Sequence, residues 1–359
     1  MENAVNAAAS TMERSGDSEP ETAHGSLQWI TLDQWQEFVE SRPESHPFHH
    51  ANWLRLLIDQ YGYAWRIAAL VAHGEITAAL PFLITRTLHG RRKLLALPLT
   101  DWFSVLASQE SSADALLAML QCQPWPGFQS VSVRTDLPAG SATPWVRHQM
   151  RLPADSGELR HRFPESLRRN LKRVERDHVR FERRTDAESL AVFYDLHVRT
   201  RCRQGVPVQP KSFFRRLQPW IVEPGLGYVG LVTKSHTPIA AGVFLNYGST
   251  AVYKYGASDP QALAHRPNEC LMYGAMRAAV DGGCARFDFG ITDVENEGLR
   301  RFKRKWGAHE IPVGYRFLAG GGDAKGATSA AMRIAGPVIR RSPLIVCRLL
   351  GEVLYKFSP

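Results

Sequence analysis

Twice along this chain the hydrophobic pattern changes in the same order: two helical periods, three strand-like runs joined by tight turns, another helix, another strand. In the first pass apolar residues recur at helical spacing over Leu32–Val39 and Asn52–Tyr61. Strand-like runs follow at Trp65–Ala72, Ile76–Thr85 and Lys93–Leu97, with His73-Gly74 and His89-Gly90 between them, so antiparallel hairpins are expected. Ala113–Gln121 then reads as a helix and Gln129–Thr135 as a strand. The second pass has helices at Pro164–Asp177, Ala187–Gln204 and Pro210–Leu217, and strands at Gly227–Lys234, Ile239–Tyr247 and Thr250–Ser258. A helix at Glu269–Asp281 and a strand at Ala285–Phe289 close it. The passes share no obvious sequence identity, so the repeat is architectural. It predicts an α/β (α+β) protein of two tandem domains, 27–150 and 151–318, each a mixed, mostly antiparallel sheet flanked by helices. A length of 359 residues suits two domains.

Hydrophobic residues at 44% and charged residues at 22% are globular values. No apolar run approaches the ~18 residues of a membrane span, and residues 1–25 have no secretory apolar core; they read as a disordered leader. The five cysteines are scattered, odd in number and without a C-x-x-C pair, which points to reduced thiols in the cytoplasm. Zinc signatures, H-E-x-x-H and Walker loops are lacking, so no metal is expected. Residues 319–359 read as a linker followed by a basic amphipathic tail, in which Ile339, Leu344, Ile345, Leu349 and Leu350 alternate with Arg340, Arg341 and Arg348. Two roles are open to that tail: packing back on the protein, or lying on the surface of an anionic membrane at the cytoplasm's edge.

The net charge of +9 is concentrated. Residues 160–180 hold eight Arg or Lys against three acids, and 300–305 hold five in six positions. Such clusters suit a phosphate-bearing partner: a nucleotide cofactor, tRNA, an anionic precursor or a membrane. In the helix around Arg168, Leu167, Leu171 and Val174 face inward; Arg168, Arg169, Lys172 and Arg173 face outward, with Asn170 on the border. A solvated face and a nucleic-acid or lipid-phosphate track both fit that pattern.

The end of the second pass carries the strongest polar signal. Phe287-Asp-Phe-Gly-Ile-Thr-Asp reads as a buried strand with a tight exit, and Gly298–Gly307 as a short basic helix. Leu299, Phe302 and Trp306 fall on one face of that helix, Arg300, Arg301, Arg304 and Lys305 point away, and Lys303 sits on the border. One lysine is therefore aimed toward the strand that carries Asp288, which faces opposite to Phe287 and Phe289.

Four stretches in order make the chain recognisable: Ser166-Leu-Arg-Arg-Asn-Leu-Lys-Arg173; His197-Val-Arg-Thr-Arg-Cys-Arg-Gln-Gly-Val-Pro207 with Phe213 and Phe214; Tyr253-Lys-Tyr-Gly-Ala-Ser-Asp-Pro260 with Pro267 and Asn268; and Phe287-Asp-Phe-Gly290 with Phe302-Lys303 and Trp306-Gly307. Over about 166–307 the chain resembles the FemABX-like (FemAB-related, acetyltransferase-6 type) branch of the GNAT acyltransferase superfamily. The resemblance implies two GNAT-like domains in tandem, with the second, 151–318, catalytic. It also implies N-acyl transfer from a phosphate-bearing donor, acyl-CoA or aminoacyl-tRNA, to the amine of a cell-envelope or polysaccharide-related acceptor.

Amide formation needs a deprotonated amine, donors for the oxyanion and positive charge for the donor's phosphates. The resemblance places the Phe302-Lys303 pair at the active site, with Lys303 handling the donor or the developing charge. Asp288 is the candidate base. Tyr253 and Tyr255, expected on one face of their strand, are candidate proton relays. His265, Arg266 and Asn268 stand at the helix opening where a GNAT enzyme holds its donor's pyrophosphate, with Asn268 the expected N-cap. That stretch, Ala262–Asn268, has no glycine, unlike the usual pyrophosphate loop, and this is typical of the branch whose best-known members use aminoacyl-tRNA. Arg168, Arg169, Asn170, Lys172, Arg173, His197 and Arg203 are candidates for holding acceptor or phosphate; His197, four residues after Phe193 on a helix, also reads as a core histidine. The rival expectation is a non-catalytic GNAT-like module that recruits RNA, an anionic precursor or membrane.

Overall fold

The computed structural model describes residues 25–87, 90–321 and 336–357. Apart from Gly25, the expected leader lies outside them, as does most of the glycine-rich linker after Gly321. The strands are β1 (Ser26–Ile30), β2 (Ala64–Ala72), β3 (Glu75–Arg86), β4 (Arg92–Ala96), β5 (Leu106–Ala107), β6 (Phe128–Asp136), β7 (Trp145–Arg151), β8 (Arg180–Arg184), β9 (Gly227–Lys234), β10 (Thr237–Tyr247), β11 (Thr250–Ser258), β12 (Arg286–Asp293) and β13 (His309–Gly320). The main helices are α1 (Leu32–Glu40), α2 (Ala51–Tyr61), α3 (Glu110–Cys122), α4 (Glu165–Arg176), α5 (Ala187–Gln204), α6 (Lys211–Leu217), α7 (Pro267–Asp281), α8 (Glu297–Arg304) and α9 (Leu344–Phe357).

Each half runs strand, two helices, three antiparallel strands, helix, strand. Both halves are built into one mixed sheet of order β1-β2-β3-β4-β6-β13-β7-β12-β11-β10-β9-β8, with β5 beside β3. Among the described residues only β4–β6 and β11–β12 pair in parallel. The halves exchange strands at the middle: β7 follows β6 in sequence but pairs with β12, while β13 follows β12 but pairs with β6 and β7. The exchange removes two sheet edges that would otherwise face solvent. The fold is the mixed α/β arrangement that the repeated pattern predicted, but the two expected sheets are one continuous sheet, and the expected boundary at 150/151 falls inside β7, because β7 pairs across to β12.

Two cores fill the sheet's faces. One runs from Trp35, Phe48 and Trp53 through the first half to Phe193, Phe213 and Phe214 of α5 and α6. The other lies between α4, α7 and the opposite face of β9–β12, and includes Phe163, Leu171, Phe244, Phe287, Phe289 and Trp306. Thr31 caps α1 through a reciprocal pair with Gln34, and Gly205 ends α5 in the left-handed region.

Two local expectations fail. The helix at the presumed phosphate loop begins at Pro267, with Arg266 in the N-cap position at φ 58°, so Asn268 is inside the first turn and is not the cap. Proline at the first helical position explains the earlier start, because its missing N–H needs no partner there. Leu299 is 38% exposed; α8 is only two turns long, and Trp306, beyond its end, takes the buried position.

Candidate active site

The site is organised by a gap between β11 and β12. These strands pair in parallel only at Thr250–Val252 with Arg286–Asp288. On β11 a bulge intervenes: Val243 of β10 opposes Tyr255 and Phe244 opposes Tyr253, leaving Lys254 as the extra residue. The bulge breaks the period-two alternation, so Tyr253 and Tyr255 do not share a face. Tyr253 packs on Phe244 in the second core, and its hydroxyl closes on Gly256 so tightly that no Cβ fits there. Tyr255 packs on Phe213, Phe214 and His197 in the first. Burial raises both phenols, so near neutral pH they stay protonated and no phenolate is available as a base.

Lys254 is buried, 4% exposed by side chain. Its ammonium donates to the Leu99 carbonyl (2.9 Å) and to Asp101 Oδ1 (2.8 Å), facing the rings of Phe48, Trp53 and Tyr255. The loop that supplies Asp101 holds two non-glycine residues, Leu97 and Leu99, at φ 46° and 62°. Such strain persists only where surrounding contacts fix it, and here the Leu99 carbonyl is fixed by Lys254.

On β12, Asp288 is wholly buried. It accepts from Arg147 Nη1 (2.7 Å) and from the Gly290 N–H (2.7 Å). Burial pushes its pKa up, while Arg147 and the Gly290 N–H pull it back. Arg147 also grips Asp136 through Nε (2.6 Å) and Nη2 (2.5 Å) and lies over the Trp102 ring. Burial would lower the guanidinium's pKa, but the two carboxylates outweigh it and raise it. Asp288 thus works as one member of a carboxylate–guanidinium–carboxylate chain.

Lys303 is 3% exposed, and its ammonium donates to the carbonyls of Gly290 (2.9 Å) and Ile291 (3.2 Å), at the β12 exit. Burial lowers its pKa to about 8, against the pull of Asp101 and Asp288. Gly290 joins the groups: it sits at φ 69°, and a Cβ there would come within 2.7 Å of Asp101 Oδ2. Gly290→Ala is therefore expected to cost roughly 1–3 kcal/mol of stability from the backbone alone, and more through displacement of Asp101. Chemical denaturation of the two proteins measures it; equal midpoints would show that the turn relaxes freely.

The remaining sequence candidates fall in three other places. His265 bridges Asp177 (Nδ1 donating, 2.7 Å) and Lys234 (Nε2 accepting, 2.9 Å) just before α7. Asn170 donates to Glu269 Oε1 (2.7 Å), tying α4 to the first turn of α7, and the Glu269 side chain is buried there. Arg168, Arg169 and Lys172 are exposed along α4, with Arg173 partly drawn to Asp177; Arg203 is exposed near the end of α5. His197 lies in the first core, stacked on Phe193 and bonded to Gln209 Oε1 (3.3 Å), its pKa lowered to about 3 by burial. Phe302 packs edge-on to Trp306 beside the second core. A groove of about 560 Å³ runs over β7 and the starts of β11 and β12, between His46, Trp102, Arg147 and Arg286; neither Lys303 nor Asp288 lines it.

Sequence reading missed Asp101, Lys254 and Arg147. Asp101 and Lys254 stand far apart in the chain and meet only through the loop and the bulge. Arg147 lies on a strand whose polar composition hid it.

A family model described as an acetyltransferase (GNAT) domain matches residues 160–304. Residues 160–304 are a GNAT acetyltransferase domain of the FemABX type. That GNAT domain contains the gap, Asp288 and Lys303, while Asp101 and Arg147 reach it from outside. Among curated proteins, a lipid II:glycine glycyltransferase of Staphylococcus haemolyticus is 38% identical over 68 residues. One of Staphylococcus aureus is 37% identical over the same length. The chain spans about a sixth of the length of these relatives: each match covers 17% of this chain and 16% of the relative. Among solved structures, the crystal structure of FemX superposes with a TM-score of 0.65 at 16% identity, over 82% of this chain and 97% of that one. The C-terminal domain of a putative lysylphosphatidylglycerol synthetase from Agrobacterium fabrum gives 0.52 at 12%, over 86% and 96%. Both likenesses concern the fold.

Proposed function

We propose that the protein is an N-acyltransferase that moves an activated aminoacyl or acyl group onto the amine of a cell-envelope precursor at the cytoplasmic face of the membrane. The observation that carries this reading is the buried Lys303 ammonium at the mouth of the β11–β12 gap, with the Asp101 and Asp288 carboxylates close by. A cation held in a dry site at fixed geometry stabilises an oxyanion without reorganising when charge develops. The donor's carbonyl enters the gap, the amine adds to its carbon, Lys303 steadies the tetrahedral oxyanion, and a neighbouring carboxylate takes the amine's proton; collapse then breaks the donor's ester or thioester bond, and that proton goes to the departing ribose hydroxyl or thiol. Among the described residues no Cys–His or Ser–His side-chain pair stands ready to form a covalent enzyme intermediate, and the reading adopts direct attack. The curated relatives' names point to an aminoacyl group and a lipid-linked acceptor.

For the donor we favour aminoacyl-tRNA over acyl-CoA. A helix N-terminus favours anions, but the first turn of α7 already holds the buried Glu269 carboxylate beside Asn170. A pyrophosphate there would meet a like charge. The exposed Arg168, Arg169 and Lys172 offer instead an open track for a polyanion. Binding of charged tRNA is expected to weaken steeply with salt, by roughly 0.7–0.9 in log–log slope for each phosphate neutralised, and free acyl-CoA is expected to bind weakly with a shallow slope. Titration of both ligands at two salt concentrations tests this. Tight acyl-CoA binding with little salt dependence, and no tRNA binding, would leave a CoA-dependent N-acyltransferase.

The burial of Lys303 and Asp288, away from the large groove, favours a second reading, a binding module without turnover. Release of product amide from charged tRNA or acyl-CoA in the presence of an amine decides between the two.

A further inference from the structure

The seven exposed large hydrophobic side chains among the described residues are not scattered. Four of them, Val338 (61%), Leu344 (39%), Ile345 (57%) and Leu349 (59%), belong to one helical hairpin formed by the helical residues 336–341 and by α9. Ser342 and Pro343 make the corner, and proline there stops the first helix.

The hairpin's inner side is firmly seated. Ile339 and Cys347 are wholly buried, and the Cys202 thiol donates to the Ile339 carbonyl (3.3 Å). Gly351 lies so close to the Val208 carbonyl that no side chain would fit between them. Arg201 donates to the Tyr355 hydroxyl (3.0 Å), and Arg348 meets Asp195 (3.2 Å). The exposed apolar groups are therefore held outward by a docked element. Ile345 and Leu349 are four residues apart on α9 and share its outer face, while Cys347 and Gly351 take the inner one.

The charge around this face is mainly positive at the corner. Arg340 and Arg341 are exposed there with no acid between residues 336 and 351, Arg348 is paired with Asp195, and the exposed Glu352 stands a turn beyond Leu349 on α9. Apolar side chains presented beside arginines match a bilayer interface, where the apolar groups enter the acyl boundary and the cations meet lipid phosphates. No helix among the described residues is long and apolar enough to cross a membrane, so such an element lies along the surface.

We infer that the outer face of this hairpin, Val338, Ile345 and Leu349 with Arg340 and Arg341, docks the protein on an anionic lipid bilayer. This names the surface that would bring the active site to a lipid-linked acceptor, and to that extent it rests on the proposed function; the docking itself rests only on exposure and charge. Of the two roles open to the tail from sequence, the hairpin serves both, one on each side.

The test is co-sedimentation of the full chain with vesicles of phosphatidylcholine alone and of phosphatidylcholine containing phosphatidylglycerol. The wild type is expected to bind the anionic vesicles and to be released by salt. Ile345→Asn with Leu349→Asn is expected to weaken that binding roughly tenfold or more. Arg340→Ser with Arg341→Ser should weaken it by about fivefold per arginine on anionic vesicles only. Both pairs are exposed, and unchanged thermal unfolding verifies that the fold survives. Absence of wild-type binding to anionic vesicles overturns the inference. So does binding that both variants keep, or a wild-type dimer in light scattering that the Ile345/Leu349 variant dissociates, since a second copy would then cover the face. Vesicle binding with no acyl transfer to any amine would refute the proposed function and leave the docking intact; transfer to a soluble amine with no vesicle binding would do the reverse.

Discussion

Exchange of Lys303 for methionine is expected to lower acyl transfer by roughly 10²–10³-fold, the effect of removing one oxyanion donor from a preorganised site, while the protein stays folded. Methionine keeps most of the volume beside Trp306 and the β12 exit. The carbonyls of Gly290 and Ile291 lose their donor, a destabilising change. Against that, the fold disfavours the charge it loses, because burial holds the ammonium's pKa near 8, well below its ordinary value. The two effects oppose each other, so the unfolding midpoint is expected to move little. The pH dependence follows from the same number. If the ammonium is the working form, it is present below about 8 and lost above, so the rate should fall as pH rises through that value. A rate that climbs through the same range would assign Lys303 the opposite role, that of a base. Arg304→Met is the control: Arg304 is half-exposed and turned toward Glu297 and Glu310, and its loss should cost little. Equal loss in both variants would reduce α8 to an electrostatic surface and remove the reason to place the chemistry there.

The inward direction of Lys303 was legible because it depends only on helical spacing. The position of Asp288 opposite the two phenylalanines was legible for the same kind of reason. What could not be read was the way groups distant in sequence converge. Asp101 enters through a loop held in the left-handed region at Leu97 and Leu99, and Lys254 through a bulge; neither feature leaves a periodic trace. The same bulge defeated the expectation for Tyr253 and Tyr255, since alternation along a strand holds only while its pairing is regular. The hairpin strands announced themselves by β-branched runs between glycine turns. β7, Trp-Val-Arg-His-Gln-Met-Arg, and β8, Arg-Phe-Glu-Arg-Arg, did not, because charged and polar residues interrupt their alternation, buried on β7 as Arg147 and His148, and because their pairing partners come from elsewhere in the chain. β13 carries Pro312 and Gly314, residues that count against a central strand, yet it lies at the middle of the sheet. A tandem repeat could be recognised from element order alone; that its halves trade strands could not, because exchange is a property of long-range pairing.

The strand exchange gives Arg147 its position and motivates the largest expected effect on stability. Arg147 stands on β7, from the first half, and reaches Asp288 on β12, from the second, so this ion pair fastens the exchanged strand to the GNAT domain. Arg147→Met is expected to destabilise the protein by about 3–5 kcal/mol, because removing one partner leaves the other charge buried without compensation. Asp136 is about one-third exposed and can turn to water; Asp288 is fully buried and would keep only the Gly290 N–H. The pH dependence has a definite sign. The Asp288 carboxyl is already held above its ordinary value by burial, and loss of the guanidinium would push it higher. A carboxyl whose folded pKa exceeds its unfolded one destabilises the fold as pH rises through the unfolded value toward the folded one, where the buried group must ionise or hold its proton against solvent. The difference between variant and wild type should therefore be smallest at acid pH and widen toward neutrality. Asp288→Asn added to Arg147→Met removes the buried charge altogether, and the double variant is expected to recover a large part of the loss. Denaturant unfolding of the four proteins at acid and neutral pH measures the coupling. A loss that is independent of pH and is not relieved by Asp288→Asn would show that Arg147 matters through its packing on Trp102 rather than through the carboxylate it meets across the exchanged strands.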